Sequence, residues 1–277
     1  MESFGLALTG TGAKGAFQIG VLRYFEQNRM FSYLSAVSGA AVGAVNAVLF
    51  ALRDFKRAQA VWNSAEMRAL LTPSVGFAVT WLDGKPYGVF RADRVTDLLR
   101  RLPLHELCRS NTRVCFSAPA VQHHRETVLC VNAMPRTEEI LEVLTAAATV
   151  PFPYPEAKLG DAALTEPEQT DQAAPPDPAA PMLPVFHAGC TKMIVVTADP
   201  AFSIDRSRFA AINSQIIQPG EWMLKAAAGQ SRGLMPQQPK AGIKIPQQTN
   251  QTAVTRLIND GYVCAHRALS ARQLSAY

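Results

Sequence analysis

"GLALTGTGAKGAFQIGVLRYF", Gly5 to Phe25, runs as an apolar strand, breaks into a glycine loop, and then resumes apolar residues at helical spacing. Gly10, Gly12 and Gly15 spell G-x-G-x-x-G between that strand and that helix, which is the setting a dinucleotide pyrophosphate needs. The same geometry serves a catalytic oxyanion, because in both cases backbone N–H groups converge on negative charge at a helix N-terminus. The loop therefore announces anion stabilisation without naming the anion.

A second loop, "VSGAAVGAVNA" from Val37 to Ala47, also follows a strand and precedes a helix. Gly39 and Gly43 flank a central residue in the pattern G-x-[?]-x-G, the frame of a nucleophile elbow in which a sharp strand-to-helix turn projects one residue above the sheet. Here that residue is Ala41; a serine there would complete G-x-S-x-G.

These two loops together resemble the opening of the patatin-like phospholipase family, a glycine-rich oxyanion loop followed by a serine elbow. "TVPFPYPEAKLGDAALTEP", Thr149 to Pro167, is similar to the family segment that leads to its catalytic aspartate, which falls on Asp161. "GCTKMIVVTAD" and "INDGYVCAHRAL" look like further family segments, so the resemblance spans most of the chain. It implies a three-layer α/β/α sandwich with a mostly parallel central sheet, and a Ser–Asp dyad, without histidine or cofactor, that cleaves acyl esters of phospholipids or other lipids. On this pattern Asp161 would take the proton of a serine at position 41. The Gly10, Thr11 and Gly12 amides would form the oxyanion hole, where loss of one donor costs ~3 kcal/mol. Three residues depart from the family pattern: Ala41 has no nucleophile, Thr11 stands for a glycine, and Ala162 stands for the glycine after the aspartate. The expectation is a lipid acyl hydrolase carrying a serine-to-alanine knock-out at its nucleophile position, the alternative a natural pseudoenzyme that binds lipid or regulates on the same fold.

A dinucleotide-binding oxidoreductase is the remote alternative. It requires an acidic residue at the end of the next strand, where this chain has "LSAVSG". A P-loop is excluded, since Lys14 is followed by Gly15 and Ala16.

The remaining sequence is consistent with one domain over residues 1–277. At 48% hydrophobic residues the chain can bury a full core. Strands near Phe4–Leu8 and Tyr33–Val37 alternate with helices from Ala16 to Asn28 and through Leu52, the βαβ signature of a parallel sheet. Asp83-Gly84 marks a turn, "RADRVTDLLRRL" a basic amphipathic helix, "RVCFSAPAV" and "ETVLCVN" two more strands, "TKMIVVTADP" a buried strand, and "AVTRLINDGYVCAHRALS" a closing helix. Thr137 is expected to cap the helix that follows it, with Glu138 and Glu139 in the first turn. Residues 166–181, rich in Pro, Ala and Gln, read as a disordered insertion.

Ala36 to Leu52 carries no charge and holds Gly39-x-x-x-Gly43, so a membrane span of ~17 residues competes with a buried strand, turn and helix. The net charge of +5 favours anionic partners, such as the surface of a membrane met peripherally, while no nucleic-acid motif is present. The five cysteines lack C-x-x-C spacing and read as thiols of a reducing compartment, and His123-His124 as a solvated turn, so no metal site is expected. With no Sec-type leader at the N-terminus the expected location is cytoplasmic; a non-Sec export route would leave no mark.

Overall fold

The computed structural model describes residues 3–9, 12–82, 85–118, 127–149, 152–153, 181–205, 207–220 and 251–273. In chain order the elements are β1 (Phe4–Leu8), α1 (Ala16–Gln27), β2 (Leu34–Gly39), α2 (Val42–Leu52), α3 (Phe55–Trp62), α4 (Ala65–Leu71), a single turn α5 (Pro73–Gly76), β3 (Phe77–Leu82) and β4 (Lys85–Phe90). There follow α6 (Ala92–Leu99), β5 (Arg113–Ala118), β6 (Thr127–Cys130), α7 (Thr137–Ala148), β7 (Phe152–Pro153), α8 (Met182–His187), β8 (Lys192–Val196), β9 (Asn213–Ile217) and a long final helix α9 (Gln251–Gln273).

β1 alternates between two cores. Leu6 and Leu8 join a large cluster with α1, α2, α7 and α9, while Ala7 faces a smaller one with Met182, Val185, Met193 and Val195. The central sheet has the order β6-β5-β2-β1-β8-β9 and is parallel except for β6, which pairs antiparallel with β5. The layers follow from crossover handedness. Parallel crossovers are almost always right-handed, so connections stepping in opposite directions from β1 cover opposite faces. The steps β1 to β2 and β2 to β5 place α1 and α2 on the large core, and the step from β8 to β9 places Phe209 and Ile212 on the small one. The result is the expected three-layer α/β/α arrangement with a mostly parallel sheet. The strand order reverses at β1, so the loop leaving its C-terminal end stands where open α/β sheets form their ligand crevice. α1 and α9 cross so closely that a Cβ on Gly20 or Gly261 would overlap the backbone of the facing helix.

A second, three-stranded sheet, β3-β4-β7, is antiparallel. Its β3–β4 hairpin brackets the expected turn at Asp83-Gly84, which lies outside the described residues. So do His123-His124 and residues 166–180 of the expected insertion; Pro181, assigned to that insertion from sequence, is buried where it leads into α8. The apolar run Ala36–Leu52 divides into β2, a corner and α2, and no helix among the described residues is long and apolar enough to cross a membrane.

Two local expectations are corrected. Thr137 is the first helical residue of α7 and makes no capping bond; Arg136 holds the cap position with no side-chain cap, and pairs instead with Glu139 at 3.0 Å. Cys115 and Cys130, read as thiols, are joined by a disulfide. They lie directly opposite each other on antiparallel β5 and β6, a juxtaposition set by strand register and carrying no C-x-x-C spacing.

Candidate functional site

Both glycine-rich corners stand at the C-terminal ends of adjacent parallel strands. Thr9 N donates to Val196 O at 3.0 Å, carrying the β1–β8 ladder to the edge of the first corner. Gly12 then enters a 3₁₀ turn over Gly12–Gly15 with φ of +51°, in open space. Glycine adopts this left-handed conformation without the steric cost of a Cβ.

At the second corner the positive dihedral falls on a residue with a side chain. Ala41 has φ 51° and ψ −127° and is 4% exposed, at the N-terminus of α2. Its N–H donates to Ala147 O near the end of α7 at 3.2 Å, its carbonyl accepts from Ala44 N at 3.0 Å, and Gly43 N donates to Ala40 O at 2.8 Å. The flanking glycines are demanded by close approach. A Cβ on Gly39 would overlap the Gly43 backbone, and one on Gly43 would stand 2.5 Å from Leu8 O. The two corners interlock, since a Cβ on Gly15 would come within 2.6 Å of Val42 Cγ1 and 3.1 Å of the Trp62 ring.

Gly12, Gly39, Ala41 and Gly43 are thus brought to one end of the sheet, where the N-termini of two helices can stabilise negative charge. Gly10, Thr11 and Asp161 lie outside the described residues. The chain leaves α7 beside Ala41, pairs at Phe152–Pro153 with Tyr87 and Gly88, and then enters the segment that holds Asp161.

Displaced pKa values belong to other places. On α9, burial pushes the Asp260 carboxyl and the Cys264 thiol up. On the exposed surface, hydrogen bonds from Arg91 and from Ser207 hold the Asp93 and Asp205 carboxyls down. An open groove of about 590 Å³ lies among α3, α4 and α6, lined by Arg57, Val61, Glu66, Leu98, Arg101 and His105, and includes no residue of either corner. Its charges are paired, Arg101 with Glu66 at 2.7 Å and Arg57 with Glu106 at 3.2 Å.

The model of the patatin-like phospholipase family matches residues 6–168, more than half of the chain and both corners. The chain belongs to that family. Patatin-like proteins are lipid acyl hydrolases. Among solved structures the chain is similar to ExoU of the type III secretion system of Pseudomonas aeruginosa, in its heterodimeric complex with SpcU. That match has 14% identity and a TM-score of 0.41, covering 98% of this chain and 52% of that one. A second structure of full-length ExoU with full-length SpcU matches at 12% identity and a TM-score of 0.37, with coverages of 96% and 53%. The chain therefore spans about half the length of the solved structures it matches. No curated protein matches it.

Sequence reasoning gave no role to Gln18, Asn46 or Trp62. The structure joins all three beneath the two corners. No sequence pattern links positions so far apart in the chain.

Proposed function

We propose that this chain is a patatin-type acyl-ester hydrolase whose nucleophile seat, residue 41, is filled by alanine, so that as it stands it binds lipid without turning it over. The observation that carries this reading is the Ala41 backbone, at φ 51° and ψ −127° between two glycines that admit no side chain. A non-glycine residue held there costs of order 1–3 kcal/mol and persists only where its surroundings over-determine it. Alanine gains nothing from the strain; a serine gains a fixed placement of its hydroxyl at the head of a helix, the purpose of an elbow.

In the active form a serine at 41 attacks the ester carbonyl. Asp161 takes its proton, and the Gly10–Gly12 amides bind the oxyanion that develops. The course of the chain supports the role of Asp161, since its segment departs from the strand that follows α7, and α7 ends on the Ala41 N–H. The substrate is a phospholipid or other acyl-ester lipid met at a membrane or micelle surface, to which the net charge of +5 adds attraction when that surface is anionic.

The test is the paired initial rate of Ala41→Ser and the unmodified chain on a short-chain nitrophenyl ester. Turnover is expected in the variant alone. Background rates in both would favour the pseudoenzyme, a reading that Thr11 and Ala162 also suit, and robust turnover by the unmodified chain would defeat the assignment of residue 41.

A further inference from the structure

Two amide side chains lie beneath the corners almost wholly withdrawn from solvent, Gln18 on α1 at 1% exposure and Asn46 on α2 at 0%. Burying an amide is costly unless it is hydrogen-bonded. Asn46 Nδ2 donates to Gly15 O at 3.0 Å and to Gln18 Oε1 at 2.8 Å, and Asn46 Oδ1 accepts from Trp62 Nε1 at 2.9 Å. Gln18 Nε2 donates in turn to Thr9 O at 2.8 Å. An indole N–H only donates and a backbone carbonyl only accepts, so these partners fix which way both amides point.

The carbonyls that receive this network sit at chosen places. Thr9 is the last residue before Gly10, and Gly15 is the last before α1. Both ends of the glycine loop are therefore tied, through one pair of amides, to the helix that begins next to Ala41. A leucine and a methionine would fill the same volume but leave Thr9 O, Gly15 O and the buried Trp62 indole N–H without these partners, so the pair serves the two loop ends as well as the ring.

We infer that Asn46 and Gln18 are positioning residues for the glycine loop, fixing its two ends, at Thr9 and at Gly15, relative to residue 41. This rests on the reading of that loop as the oxyanion hole. Donors in such a hole act only when they are already aimed at the developing charge, and a displacement of about 1 Å can cost about 100-fold in rate.

Trypsin tests the clamp in the chain as it is. Lys14 and Arg113 are both exposed, but the Arg113 backbone is held in the ladder between β5 and β2 and is cleaved by trypsin only when the sheet opens, so the ratio of cleavage rates after Lys14 and after Arg113 separates local release from global unfolding. Asn46→Asp keeps the shape and the acceptor for Trp62 but removes both donors; Gln18→Met keeps the volume and releases Thr9 O. Each is expected to raise the ratio about 10-fold or more, while Trp62→Phe, which leaves both loop ends tied, keeps it within about 2-fold. If Asn46→Asp does not fold, Gln18→Met carries the test. A ratio unchanged in the amide variants would overturn the inference, leaving them as core support only. In an Ala41→Ser background Gln18→Met should lower kcat about 10-fold with KM within about 2-fold, and a loss confined to KM would count equally against it. An Ala41→Ser chain with no turnover defeats the proposed function and leaves the cleavage ratio to decide the clamp.

Discussion

The two corners of the site share one dihedral and handle it in opposite ways. Gly12 and Ala41 both have φ of 51°. At Gly12 the conformation belongs to a residue suited to it, and the space where a Cβ would stand is empty. At the elbow it falls on alanine, and the glycines occupy the neighbouring positions, where backbone meets backbone at Gly39 and Gly43. Glycine thus serves conformation in one corner and close approach in the other. The first use leaves a site tolerant of small changes. The second makes a joint with no slack, and such a joint can hold a strained residue in place.

This contrast can be broken by substitution. The largest effect is expected from Gly39→Ala, whose Cβ would overlap the Gly43 backbone, a neighbour unable to step aside as a side chain can. A loss of about 3 kcal/mol, read from the urea midpoint, follows from forced overpacking. An unchanged midpoint would show that the corner is not closed. Gly12→Ala meets nothing and bears only the left-handed penalty, so a loss of about 1 kcal/mol is expected. A cost matching that of Gly39→Ala would erase the difference between the corners.

An effect of about the same small size has the opposite sign. Ala41→Gly relieves strain of about 1–3 kcal/mol and forfeits about 0.5–1 kcal/mol of chain entropy, so a net gain of about 1 kcal/mol is expected. A destabilised Ala41→Gly protein would mean that residue 41 stores no strain, and the argument for a nucleophile seat would lose its support. Together the three midpoints rank close approach above conformation, and conformation above entropy.

Much of this contrast was legible in the residues. The strand–glycine–helix order of Leu6–Phe25 and of Val37–Leu52 announces both corners because strand and helix periods differ and glycine interrupts them. β9 was not legible. "NSQII" is a short edge strand carrying polar residues, without the continuous apolar run that marks β8. Nor was the Cys115–Cys130 bridge, which depends on which residues of β5 and β6 oppose each other. Thr137 misled because a threonine before two glutamates matches a capping sequence, while α7 begins one residue earlier in register than a cap there requires.

By itself the sequence determined the βαβ opening, the family, and the presence of alanine where the elbow expects serine. These are local matters, written in residue type and spacing over a few dozen positions. Only the tertiary structure decided that Ala41 sits at positive φ, that Gly43 must clear Leu8 O, and that Gln18 and Asn46, the latter bonded also to Trp62, meet Thr9 O and Gly15 O at the two ends of the glycine loop. Each of these depends on groups distant in the chain meeting at a few ångströms, and a hydrogen bond or a steric limit has no value until the packing of the helices on the sheet has set that distance.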